Sequence, residues 1–173
     1  MRRGELLGLT WRALDLDGGR LSVEQQLVPT RGGVSFAPPN SARSRRTVAL
    51  DPETVEALRQ HRDTQLLERD FAGGGYEDRD LVFADELGEP IHPQRLTEWF
   101  GQHRTATGIP TGTLHILRHT AATLALTVGV PVHIVAARLG DDPKTVLSTY
   151  AHLLPRRTSW PPSGWQQRSR GLA

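Results

Sequence analysis

LHILRHTAATLALTVGV, residues 114–130, is the stretch on which the fold turns. Leu114, Leu117, Ala121, Leu124 and Val128 recur at spacings of three and four, the stripe of an amphipathic helix facing a core, and Gly129 stops it. His115 and Arg118, three residues apart, share another face about one turn in, where both can touch one ligand. Alone, the pair fits better a histidine that caps or bonds locally beside an arginine in a surface ion pair. A tyrosine, Tyr150, follows some thirty residues later.

Length and composition narrow the choice. A chain of 173 residues is most simply one domain with room for a small appendage. It has no cysteine, which excludes a disulfide frame and a thiolate metal site. No apolar run approaches the roughly 20 residues of a membrane span, and MRRGELLGLTW lacks the features of a signal peptide, so the expected compartment is the cytoplasm, with no membrane partner. The net charge is +2, carried almost wholly by arginine, with Lys144 the single lysine. Arginine is the side chain best suited to grip phosphate by two parallel hydrogen bonds.

Outward from the quoted helix, the pattern predicts an α+β fold, mainly helical with a small three-stranded antiparallel sheet. Residues 5–9 read as the end of a helix. LSVEQQLV (21–28), GVSFAP (33–38) and RRTVAL (45–50) read as strands of a meander, separated by glycine- and proline-containing turns. Asp51-Pro52 predicts a helix cap with proline at the first helical position, opening a helix to about Arg69 that carries Val55, Leu58 and Leu66. Residues 71–79 form a glycine-rich loop, His92-Pro93 opens another helix, and shorter helices follow at 131–139 and 143–153. Residues 156–173 show no period and are expected as an irregular tail after a domain spanning 1–155.

RRGELLGLTW, PPNSARSRRTVAL, LHILRHTAATLA, AARLGDD and TVLSTYAHLLP occur in this order. Together they resemble the catalytic domain of the tyrosine recombinases, the phage integrase family. The resemblance implies site-specific cutting and rejoining of double-stranded DNA through a 3′-phosphotyrosyl intermediate, with no cofactor, metal or small-molecule substrate. By that resemblance Tyr150 is the nucleophile and Arg2 and Arg118 are the donors that answer the charge growing on the phosphate. His115 accepts or relays the tyrosine proton, which must leave a group of ordinary pKa about 10. Glu5 supports Arg2, and Arg43, Arg45 and Arg46 are expected on DNA phosphates.

Two positions depart from the family pattern. A proton-donating lysine is expected where the chain has Asn40, and a histidine or tryptophan where it has Asp141. Four of the six expected active-site positions are therefore kept. The family also carries further helices and a core-binding domain before the first arginine, here residue 2, so a truncated chain with uncovered apolar surface and a tendency to self-associate is expected. The competing expectation to a working recombinase is a noncatalytic remnant that at most binds DNA or other subunits. His115 and His119 stand at a spacing that can hold zinc, but no glutamate lies between them as a metalloprotease motif requires.

Overall fold

The computed structural model describes residues 1–109 and 112–153; the expected tail lies outside them. The chain opens with α1 (Arg3–Leu7) and a 3-10 turn at Trp11–Ala13, then lays down β1 (Leu14–Asp15), β2 (Arg20–Val23), β3 (Gln26–Thr30) and β4 (Gly33–Ala37). A second 3-10 turn, Ala42–Ser44, leads into β5 (Arg46–Ala49). Five helices follow: α2 (Pro52–Ala72), α3 (Pro93–Ala106), α4 (Leu114–Thr127), α5 (Val132–Leu139) and α6 (Pro143–Tyr150). Helices dominate and the one three-stranded sheet is antiparallel, in the order β1-β2-β5.

The predicted meander needs correction. The run at 21–28 is two strands, broken at Glu24 and Gln25. β2 stays in the sheet, with Leu21 opposite Val48, while β3 turns away and pairs with β4 as a separate hairpin running from Gln26 opposite Ala37 to Thr30 opposite Gly33. The cause of the break is α1. A β-carbon at Gly8 would lie 2.8 Å from the Gln26 Cα, so the end of α1 rests directly on the start of β3. Gln25 Nε2 donates to the Gly8 carbonyl at 2.9 Å. Leu7 and Leu27 then share a buried cluster with Ile91.

The predicted cap of α2 is present, and α6 carries one of the same kind. Asp51 accepts from the Thr54 N–H at 2.8 Å, Pro52 begins α2, and Asp142 caps α6 through the Lys144 N–H at 2.9 Å. Within α2 the anchor is polar: Gln65 is buried and accepts from Trp11 Nε1 at 2.6 Å, whereas Leu66 is exposed. Helices α4 to α6 enclose Ala122, Leu126, Val135, Ala136, Leu139, Val146 and Tyr150 in one core cluster. A second cluster, of Leu9, Leu21, Val23, Val48 and Val82, lies under the sheet. Arg46 Nε donates to the Arg138 carbonyl at 2.8 Å and Arg138 Nη1 to the Ala49 carbonyl at 2.9 Å, which ties α5 to β5.

On α4 the expected core stripe is not the buried one. Leu117, Leu124 and Val128 are 54%, 60% and 78% exposed, and the buried positions are Arg118, Ala122 and Leu126. Leu114, Leu117 and Ala121 instead line an open apolar groove of about 640 Å³, shared with Leu6, Leu50 and Ile134. Periodicity determines which residues share a face, but it does not say what covers that face.

Candidate active site

The site is assembled from the first turn of α1 outward. The Arg2 N–H donates to Glu5 Oε2 at 2.8 Å, and Arg2 Nη1 donates to Glu5 Oε1 at 2.9 Å and Ser44 Oγ at 3.1 Å. Glu5, with 1% of its side chain exposed, also accepts from Arg46 Nη2 at 2.8 Å and Nη1 at 3.2 Å. Burial alone would raise the Glu5 pKa; the hydrogen bonds from Arg46 and Arg2 outweigh it and hold the carboxyl below its ordinary value. Glu5 is thus an ionised buttress that fixes Arg2 from behind.

Arg118 reaches the same point from α4. Its Nη2 donates to the Leu139 carbonyl and to Asp141 Oδ2, both at 2.7 Å. The other Asp141 oxygen accepts from Arg2 Nη2 at 2.6 Å, so one carboxylate bridges the two guanidiniums. Gly140 makes this approach possible: it closes α5 in the left-handed conformation (φ 69°, ψ 35°), and the Asp141 N–H returns to the Ala136 carbonyl at 3.0 Å. Arg118 Nη1 is buried and has no hydrogen-bond partner among the described residues. Leaving such a donor unsatisfied costs about 1–3 kcal/mol, which an anion oxygen at the site would relieve.

Tyr150 closes the site from the end of α6. It is buried against Val146 and the α4–α5 core, and burial pushes its hydroxyl pKa up. The side chain that meets it is His119, whose Nδ1 lies 2.5 Å from the Tyr150 hydroxyl. The resemblance implies His115 as the acceptor or relay of the tyrosine proton; the histidine in hydrogen-bond contact with the hydroxyl is His119. His115 is exposed, and its ring stands edge-on to His119 with centroids 4.6 Å apart. Burial, then the neighbouring His119, Arg118 and Arg2, keep the His115 pKa below its ordinary value. The spacing of 115, 118 and 119 on one helix was visible in the sequence, but only the fold reveals that α6 delivers the tyrosine to 119.

The hairpin-side residues divide. Asn40 accepts from Gln26 Nε2 at 2.6 Å, in the loop that leads to Ser44. Arg45 is exposed, and its side chain makes no hydrogen bond or ion pair among the described residues. Arg43 pairs with Asp142. Arg46 departs from the surface role expected of it: its side chain is 6% exposed and committed to Glu5, so it cannot meet a phosphate without abandoning a buried carboxylate.

Comparison with known proteins supplies the family. Residues 1–157 match the phage integrase family. The chain is 29% identical over 170 residues to a tyrosine recombinase XerC-like protein of Caldanaerobacter subterraneus subsp. tengcongensis, covering 91% of this chain and 44% of that one. It is 35% identical over 126 residues to an integrase of Saccharopolyspora erythraea, covering 72% and 29%. Among solved structures, the Tn1549 transposon integrase in complex with a circular intermediate DNA superposes with a TM-score of 0.74 at 20% identity, over 98% of this chain and 54% of that one. The XerA recombinase follows at 0.64 and 23%, over 90% and 54%. The chain therefore spans about half or less of the length of these relatives. Among the described residues no helix is long and apolar enough to cross a membrane. The match across nearly the whole chain, on a fold whose α1, α4 and α6 bring two arginines, a histidine and a tyrosine together, identifies this protein as a member of the phage integrase family.

Proposed function

We propose that the chain is the catalytic domain of a tyrosine-type, site-specific DNA recombinase that works on double-stranded DNA in the cytoplasm, in integration and recombination. The observation that carries this reading is the meeting of Arg2 and Arg118 on a single carboxylate, with a buried Arg118 donor unpartnered and Tyr150 delivered to the same helix. Asp141 lies between the guanidiniums as the non-bridging oxygens of a phosphodiester would. In cleavage the Tyr150 oxygen bonds to phosphorus, the bond to the 5′-oxygen breaks, and Arg2 and Arg118 answer the added charge. Glu5 holds Arg2 in place for that task, and Arg45 is the exposed hairpin arginine able to take a flanking phosphate. No cofactor or metal enters the step. Solved DNA complexes of the Tn1549 integrase support DNA as the partner.

The same geometry favours a second reading, DNA binding without efficient cleavage. Asp141 competes with the phosphate for both arginines, and Asn40 cannot donate a proton as an ammonium does. Loss of a positioned proton donor lowers a rate by about 10²- to 10⁴-fold. A pool of nicked duplexes, randomised on both sides of the nick, separates the two readings by trapping the phosphotyrosyl adduct. The adduct is expected to be scarce with the wild-type chain, to rise with Asp141→His plus Asn40→Lys, and to vanish with Tyr150→Phe. An adduct that survives Tyr150→Phe overturns the recombinase reading; none from any variant leaves the binding reading.

A further inference from the structure

We propose that His119 is a catalytic residue, the base that takes the Tyr150 proton during strand cleavage. The inference rests on the recombinase reading and names a group that the family pattern at 115 and 118 does not. Contact carries it. Helix α4 places His115, Arg118 and His119 at positions i, i+3 and i+4, on one face. Of the two histidines, the one that the tyrosine arriving from α6 meets among the described residues is His119, at 2.5 Å through Nδ1.

The proposed role sets the direction of the bond. To act as the base, His119 must carry its proton on Nε2 and leave Nδ1 bare, so that the Tyr150 hydroxyl donates to it. That tautomer is the form able to accept a proton. The need for a base is set by the surroundings of Tyr150: burial raises its hydroxyl pKa and Asp141 pushes in the same direction, against the pull of Arg118. A free tyrosinate is therefore scarce, and the proton must leave as the bond to phosphorus forms.

The step balances. A lone pair of the Tyr150 oxygen forms the bond to phosphorus while its proton passes to His119 Nδ1. The bonding pair between phosphorus and the 5′-oxygen goes to that oxygen, which takes a proton from water. His119, now doubly protonated, returns its Nε2 proton to water past the exposed ring of His115, so no net proton is consumed. On religation the same imidazole returns a proton to the departing tyrosine.

The test uses the full chain carrying Asp141→His and Asn40→Lys, with the randomised nicked duplexes, and reads the single-turnover rate of adduct formation. His119→Asn keeps a polar atom near the Nδ1 position and holds Tyr150 without accepting its proton; a drop of about 10²-fold or more is expected. His119→Ala should fall similarly and recover with added imidazole, more strongly for the more basic substituted imidazoles. An amide fingerprint spectrum of each variant establishes that the fold is intact. A Tyr150-dependent adduct that forms at the parent rate in His119→Asn overturns the inference and leaves the recombinase reading standing. Absence of any Tyr150-dependent adduct overturns both. The hydrogen bond itself is read without DNA, from the ¹⁵N shifts of His119 in the wild-type chain and in Tyr150→Phe; identical shifts count against it.

Discussion

The arginine cluster and the apolar groove meet at Arg118 and Leu139, yet the two are completed to very different degrees. In the cluster, Glu5, Arg46, Arg2, Asp141 and Arg118 form one continuous chain of charge-assisted hydrogen bonds, with the buried Arg118 Nη1 unpartnered among the described residues. In the groove, Leu114, Leu117, Ala121 and Leu6 face an opening of about 640 Å³. The difference reflects how each kind of interaction is satisfied. A buried charge without its partner costs several kcal/mol and must be closed within the chain. Apolar surface costs only about 25 cal/mol per Å² and can stay open.

The comparison breaks first at Glu5. Glu5→Ala leaves Arg46 buried beside no carboxylate and is expected to lower the unfolding free energy by about 3–5 kcal/mol in urea titrations; a loss below about 1 kcal/mol would put the cluster on the same footing as the groove. The pH dependence has a definite sign. Because the folded pKa of Glu5 is depressed, its stabilisation is fully present above the unfolded value of about 4.3 and is lost as pH falls through the lower folded value. Melting temperature in the wild-type chain should therefore decline on that acid limb, and Glu5→Gln should flatten it.

Next in size is a contrast within one helix. Leu126→Ala, at a position 3% exposed, is expected to cost about 2–5 kcal/mol, whereas Leu117→Ala, at 54%, should stay within about 0.5 kcal/mol. Equal costs would mean that the groove is closed in solution. A smaller effect tests Asp141 as the occupant of the phosphate position. Asp141→Asn should tighten binding to a random-sequence duplex about 10-fold, or about 1.4 kcal/mol, and steepen the salt dependence by about one phosphate contact. Unchanged affinity would mean that the two arginines are not available to DNA. The smallest effect belongs to Leu117→Gln, which should reduce binding of a hydrophobic dye and light scattering by the chain while leaving duplex affinity alone.

Local chemistry made most of the helices readable in advance. Asp51-Pro52, His92-Pro93 and the spacing in 114–130 act over three or four residues, and these helices begin where their signals place them. What escaped the sequence is contact between distant segments. The break in 21–28 comes from α1 lying on Gln26, the burial of Gln65 in place of Leu66 comes from Trp11, and the commitment of Arg46 comes from Glu5. In the site the limit has the same origin. His115 and Arg118 could be singled out from their shared helix face, but the preference of Tyr150 for His119 depends on how α6 crosses α4.

Gly140 has a bearing on this site beyond ending a helix. A methyl group added there would lie 2.7 Å from Arg46 Nη1 and 3.1 Å from the Arg43 carbonyl oxygen, on a backbone already in the left-handed region. The seat of the α5 end on Arg43 and Arg46 thus depends on the absence of one carbon. A methyl at 140 would press first on the guanidinium that holds Glu5, whereas a change at 141 acts on the carboxylate between Arg2 and Arg118. Two adjacent residues therefore address the cluster from opposite ends, one through the support behind Arg2 and the other through the charge in front of it.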